Sequence, residues 1–215
     1  YVHSENFGHF GASGRTGCRV AVAACQQGWT LRAMGRAATA PTELPSLLTW
    51  RRGEFSDGKA VAETIAGSNA DCCVFGPRFP DPATFCAEAT RAIMTAMEET
   101  GVRRLVCVTG AMIGEYPANR SPAFRLFAAL LARRFGEVFA DRRRQEEIVR
   151  ASGLDWTLLK PPRLTDGPRT DRVRLEVDLR VGMFSRLSRA DLAVAILNEL
   201  EQRRFLHQAV FLRSA

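Results

Sequence analysis

A glycine-rich turn, Gly11-Ala12-Ser13-Gly14-Arg15-Thr16-Gly17, leads straight into a segment with one apolar face. Glycines let the backbone turn tightly and let another group approach without meeting a Cβ. A helix that begins at such a turn offers unpaired N–H groups and the positive end of its dipole, which suits phosphate oxygens. Gly and Ser also build ordinary turns, so the spacing gains force from its context. Here the helix starts at once, and the next strand ends in Arg36 where an acid would be usual.

Apolar runs alternate with amphipathic stretches along the whole chain. Val20, Ala23, Ala24 and Gln27 share one helical face, and that helix should stop near Gly28. Thr30–Met34 and Leu47–Trp50 read as strands, with Gly53-Glu54-Phe55 leaving the end of the second; a helix follows over Gly58–Ala66. Asp71–Phe75 reads as a buried strand stopped by Gly76-Pro77. Asp81-Pro82 has the form of a helix start, Asp as N-cap and Pro in the first turn, for a helix running to about Thr100. Val102–Thr109 reads as the next strand, continuous in apolar character through Leu105, Val106, Cys107 and Val108 in the manner of a central parallel strand. A charged helix over Arg142–Ala151, capped by Gly153, precedes a strand at Trp156–Leu159 that Pro161-Pro162 halts. Ser188 and Asp191 resemble a capping box for a last helix, whose apolar face is Ala193, Ile196, Leu197 and Leu200. This βαβα order predicts an α/β fold, a doubly wound parallel sheet with helices on both faces, formed as a single domain over residues 1–215. Ligands of such sheets bind at the carboxyl ends of the strands.

Composition narrows the function classes. The net charge of +7 is carried almost wholly by arginine, the only lysines being Lys59 and Lys160. The arginines are scattered in pairs rather than gathered with aromatics on one element, which argues against nucleic acid as a partner. No run approaches the roughly 18 apolar residues of a membrane span, and polar Tyr1–Phe10 does not read as a signal peptide. Six cysteines show no metal-type spacing; Cys72, Cys73 and Cys107 lie in apolar runs, as reduced core thiols of a cytoplasmic protein would. His3 and His9 have no carboxylate or thiolate partners in sequence that would suggest a metal. Glu5–Phe10 is more polar than a central strand should be, and the sequence alone offers no reason for it.

The glycine turn, Arg36, Val108-Thr109-Gly110-Ala111, Glu146, Ser152-Gly153-Leu154-Asp155-Trp156-Thr157, Lys160-Pro161-Pro162-Arg163 and Leu187–Ala193 recur in one order. Together they resemble the atypical short-chain dehydrogenase/reductases with an NAD(P)H-binding Rossmann domain, the NmrA-like and biliverdin reductase B (flavin reductase)-like group. The resemblance spans nearly the whole chain. It implies that Gly11, Ser13, Gly14, Arg15 and Thr16 hold the cofactor phosphates. It places Arg36 at the adenosine 2′-phosphate and Phe55 on the adenine, and counts Glu54 among the cofactor-binding residues. Phe75-Gly76-Pro77-Arg78 would border the ribose and nicotinamide. Thr109 and Gly110 would end the active-site strand, and Pro161, Pro162 and Arg163 would flank nicotinamide and substrate in a small C-terminal portion. NADP(H) is expected over NAD(H). Charged hydrogen bonds of about 1.5–3 kcal/mol each from Arg15 and Arg36 would favour it by roughly 10²–10⁴.

The departures from that group matter equally. Gly110 stands where relatives offer Ser, no Tyr-x-x-x-Lys pair occurs, and Arg142 and Arg163 stand where close relatives often carry His. Arginine stays protonated and can only clamp an anion. Thr109, Arg142 and Arg163 are therefore the candidates near the chemistry, with Arg78 beside them. Two readings follow: a reductase passing hydride to a flat conjugated, anionic small-molecule acceptor such as a flavin, quinone or tetrapyrrole, or a non-catalytic dinucleotide sensor of NmrA type. Monomer and homodimer both stay open.

Overall fold

The computed structural model of the chain describes residues 6–45, 48–76 and 81–215. Its first half runs β1 (Asn6–Phe10), α1 (Arg15–Gln26), β2 (Thr30–Gly35), β3 (Leu48–Arg52), α2 (Gly58–Ile65), β4 (Ala70–Cys73), α3 (Phe85–Thr100) and β5 (Arg104–Val108). The second half runs α4 (Pro122–Arg134), α5 (Gly136–Ala151), β6 (Asp155–Lys160), β7 (Arg163–Thr165), β8 (Val173–Glu176), β9 (Arg186–Ser188), α6 (Arg189–Gln202) and β10 (Gln208–Ser214). Eight strands form one sheet in the order β3-β2-β1-β4-β5-β6-β10-β8. All its pairings are parallel except β10 with β8 at the edge, while β7 and β9 form a separate parallel pair. The order reverses between β1 and β4, so the chain has the Rossmann arrangement with its crevice at the carboxyl ends of those strands.

Alternation along the strands feeds two cores. Phe7, Leu31, Ala33, Cys72, Val106 and Leu159 pack with α1 and α6 on one face. Phe10, Met34, Cys73, Leu105, Cys107 and Leu158 pack on the other with α2, α3 and α5. Among the described residues no helix is long and apolar enough to cross a membrane.

The polar first strand now has a physical explanation. Gly8 pairs with Asp71, and a Cβ on Gly8 would fall on the Asp71 carboxyl, so the missing side chain makes room for a buried acid. Neither Asp71 oxygen has a hydrogen-bond partner among the described residues, and burial lifts its pKa well above the usual carboxylate range. His9 is fully buried; Nε2 lies 2.8 Å from the Gly17 carbonyl and Nδ1 3.0 Å from Cys72 Sγ. A carbonyl can only accept, so Nε2 carries the proton and Nδ1 accepts from the thiol. Desolvation lowers the His9 pKa to about 4, and the imidazole is a neutral member of the core rather than a metal ligand. His3 lies outside the described residues.

Several sequence expectations are corrected. Asp81 does not cap α3, which starts later with Thr84 at an N-cap position that makes no side-chain bond. Its first N–H groups are instead capped from α5: Cys86 N and Ala87 N donate to the two Asp141 carboxylate oxygens at 2.8 and 2.9 Å. The strand after α2 ends at Cys73, before Val74 and Phe75. Gln27 is exposed beyond the end of α1, and α5 ends in extended Ser152 without a left-handed Gly153. Helix α4 and the C-terminal strands fall where no element is expected from the sequence. Ser188 does cap α6, accepting from Asp191 N at 2.9 Å. The Asp191 carboxylate meanwhile binds Thr170 and the Asp171 N–H.

Candidate functional site

At the carboxyl ends of β1, β2 and β4 lies a cavity of about 690 Å³. Ten residues expected there from the sequence line it: Gly11, Ser13, Gly14, Arg15, Thr16, Arg36, Glu54, Phe55, Phe75 and Gly76. Pro77 and Arg78 lie outside the described residues. Thr109, Gly110, Arg142, Pro161, Pro162 and Arg163 do not line this cavity.

The glycine turn is built for close approach. Gly11 has φ +99°, and a Cβ there would stand 2.5 Å from the Val74 carbonyl oxygen. Gly17, inside α1, lies so close to the Gly11 carbonyl that a Cβ would strike it. Helix α1 therefore presses its first turn onto the end of β1. Gly14 is its N-cap and supplies no side-chain cap, and the first turn holds no acid. The N–H groups of that turn have no intrahelical partner and point their dipole at the cavity, a cradle that fits phosphate.

Aromatic rings form one wall. Phe55 packs against Phe10, Phe75 and Phe85 with ring centroids 5.8, 5.3 and 5.7 Å apart. A flat heterocycle fits beside such a wall. The cationic side is less simple than the sequence implies. Arg36 Nη1 is paired at 2.7 Å with Asp81, which lines the same cavity. Arg15 and Arg189 both reach Asp166, at 3.1 and 2.8 Å. The sequence assigns no site role to Asp81, Asp166 or Arg189, because each arrives from an element remote from the glycine turn: Asp81 reads as a helix cap, and Arg189 lies in the Leu187–Ala193 segment without a role of its own.

The ends of β5 and β6 are organised differently. Thr109 Oγ1 donates inward to Glu146 Oε1 at 2.6 Å, and Tyr116 donates to Glu146 Oε2 at 3.1 Å. Lys160 is buried, ion-paired to Glu146, and its ammonium lies 4.4 Å from the Tyr116 ring centroid. A tyrosine and a lysine absent as a linear motif are thus brought together in space around one carboxylate. Desolvation lowers the Lys160 pKa to about 8 against the opposing pull of Glu146, and burial first, then Glu146, raises Tyr116 to about 12. Gly110 has φ +132°, which L side chains rarely adopt, so a residue bearing a hydroxyl would be strained there.

Arg142 serves the backbone. It donates to the Phe75 carbonyl at 3.0 Å and the Thr109 carbonyl at 2.8 Å, tying the loop after β4 to the end of β5. Arg163 opens β7 and is exposed. A second, more open recess of about 670 Å³ follows β5, lined by Met112, Tyr116, Arg120, Arg125, Leu126, Phe139 and Arg143 among others.

A model of NAD(P)H-binding proteins as a family matches residues 11–203. An uncharacterized chloroplastic protein of Arabidopsis thaliana is 28% identical over 203 residues, covering 88% of this chain and 71% of its own. Among solved structures, a wide-type short-chain dehydrogenase/reductase of Veillonella parvula in complex with NADP is similar, with TM-score 0.76 and 16% identity over 98% of this chain and 94% of that one. ChuY, an anaerobillin reductase from Escherichia coli O157:H7, superposes with TM-score 0.78 and 20% identity over 97% of each chain.

Proposed function

The chain belongs to the NAD(P)H-binding family, and from that premise we propose that it is an NADPH-dependent reductase delivering hydride to a flat conjugated acceptor. The observation that carries this reading is the uncapped amino end of α1 facing a cavity of about 690 Å³ with a phenylalanine wall and Arg36 at its rim. Gly11, Ser13, Gly14, Arg15 and Thr16 would hold the diphosphate, Arg36 the 2′-phosphate, and Phe55 the adenine side. When bound, the dinucleotide supplies the hydride.

The protein's own part is orientation and exclusion of water. Arg142 fixes the loop of Phe75 and Gly76 against the end of β5. The recess beyond β5 offers apolar Met112, Leu126 and Phe139 with Arg125 and Arg143, a lining suited to a conjugated acceptor with acidic substituents. No hydroxyl at Gly110 is needed for an acceptor that takes hydride without a protein acid. The relatives' names, an anaerobillin reductase among them, support this acceptor class.

Calorimetric titration with NADPH, followed by NADPH oxidation in the presence of FMN, quinones and linear tetrapyrroles, tests the reading. Saturable binding and turnover above background are expected; absence of turnover with every acceptor removes the reductase. A second reading, a dinucleotide sensor, is favoured by the inward-facing Thr109 hydroxyl and the fully engaged Arg142. It predicts binding that distinguishes NADP⁺ from NADPH without turnover.

A further inference from the structure

Arg36 sits at the tip of β2, where an acid would accept from the ribose hydroxyls of NAD(H) and a cation would grip the phosphate of NADP(H). The structure supplies both. Asp81, from the segment ahead of α3, places its carboxylate 2.7 Å from Arg36 Nη1. Its side chain is only 4% exposed, whereas that of Arg36 is 56% exposed. We propose that Asp81 sets the cofactor preference by competing with the 2′-phosphate for Arg36 and by giving an unphosphorylated ribose an acceptor. This rests on the dinucleotide reading above and deepens it.

The charge balance supports the competition. A phosphate monoester brings about −1.5 to −2 charges at neutral pH. At this rim it meets a guanidinium already neutralised by a carboxylate, with Glu54 and Glu88 lining the same cavity. The remaining arginines of the cavity share a different carboxylate, Asp166, which reaches both Arg15 and Arg189. The two carboxylates differ in a useful way. Asp166 is 53% exposed, so solvent weakens its pairing, while Asp81 is shielded and holds its partner more firmly. A ligand would displace Asp166 readily and Asp81 only at a loss of affinity. The hundredfold or greater NADP(H) advantage expected of two free guanidinium groups is thereby cut to about tenfold or less.

Dissociation constants of the full chain for NADP⁺ and NAD⁺, measured by calorimetry at fixed ionic strength, test this with three substitutions. Asp81→Asn should tighten NADP⁺ binding about tenfold and leave NAD⁺ unchanged or weaker. Asp81→Ala should give the same direction and guards against a new hydrogen bond from the amide. Arg36→Gln should weaken NADP⁺ selectively. A ratio of the two constants that stays within twofold of wild type in both Asp81 variants overturns the proposal alone, as does weaker NADP⁺ binding in both. Failure of every protein to bind either dinucleotide overturns the dinucleotide reading and this one with it.

Discussion

Strands β5 and β6 carry a buried ion pair at each end, and the two are built for different work. At the amino end, Arg104 donates to the Asp155 carbonyl, Thr157 Oγ1 and the Glu199 carboxylate, all within 2.9 Å. Arginine stays charged through the accessible pH range and its planar fork fixes its partners. At the carboxyl end, Lys160 meets Glu146, with Thr109 and Tyr116 completing the set. There burial has brought the ammonium down to about 8, within reach of neutral pH. One pair locks a sheet; the other leaves a titratable cluster where the crevice ends.

The first way to break this comparison is Glu199→Ala. Stranding the Arg104 charge in the core should destabilise the protein by about 3–5 kcal/mol, read as a shift in urea midpoint. The effect should be flat between pH 6 and 10.

Lys160→Met sharpens the contrast through pH. The folded pKa of Lys160 lies below its ordinary 10.5, so the unfolded chain binds more protons between about 8 and 10.5. Wild-type stability relative to the variant should therefore rise across that window, by on the order of 2–3 kcal/mol. A difference curve that stays level would assign the pair the same inert role as Arg104–Glu199.

Gly110→Ser asks whether a hydroxyl can be restored beside the Lys160 cluster. The φ of +132° should make it costly, about 1–3 kcal/mol in thermal or urea melts, with no gain in turnover.

Next to β5, Asp71 shows what a buried carboxyl does with no hydrogen-bond partner among the described residues. Its raised pKa means that the folded state holds its proton more tightly, so stability falls as pH rises above about 4 towards the folded value. Asp71→Ala should remove that fall, leaving the variant's advantage larger at pH 8 than at pH 5. Gly8→Ala alone should clash. The double variant should recover part of the loss, with a coupling of about 0.5–3 kcal/mol.

The legible part of this molecule was local. The Gly11–Gly17 turn, the apolar runs of β4 and β5 and the Ser188 cap announce themselves through spacing that physics reads directly, and five residues of that turn line one cavity together with Arg36, Glu54, Phe55, Phe75 and Gly76, which the family resemblance pointed to. What stayed hidden was made by contacts between distant segments. Asp81 looks like a helix cap beside Pro82, yet an arginine 45 residues earlier captures it. The α3 amino end is capped from α5 by Asp141, and Gly8 makes sense only once Asp71 lies beneath it. Arg142 read as a free anion clamp because nothing in its neighbourhood shows that two remote carbonyls will occupy it. Helix α4, with Leu126 and Leu130 exposed, lacks the apolar stripe that marks a buried face.

Trp50 occupies the space that a side chain on Gly35 would need, and its indole N–H donates to the Ala37 carbonyl at 3.1 Å. That ring therefore lies against the backbone on either side of Arg36, whereas Trp29 and Trp156 are buried. The chain consequently carries its own optical probe: ligand arrival at the β2 tip should register as a change in Trp50 fluorescence, without any label.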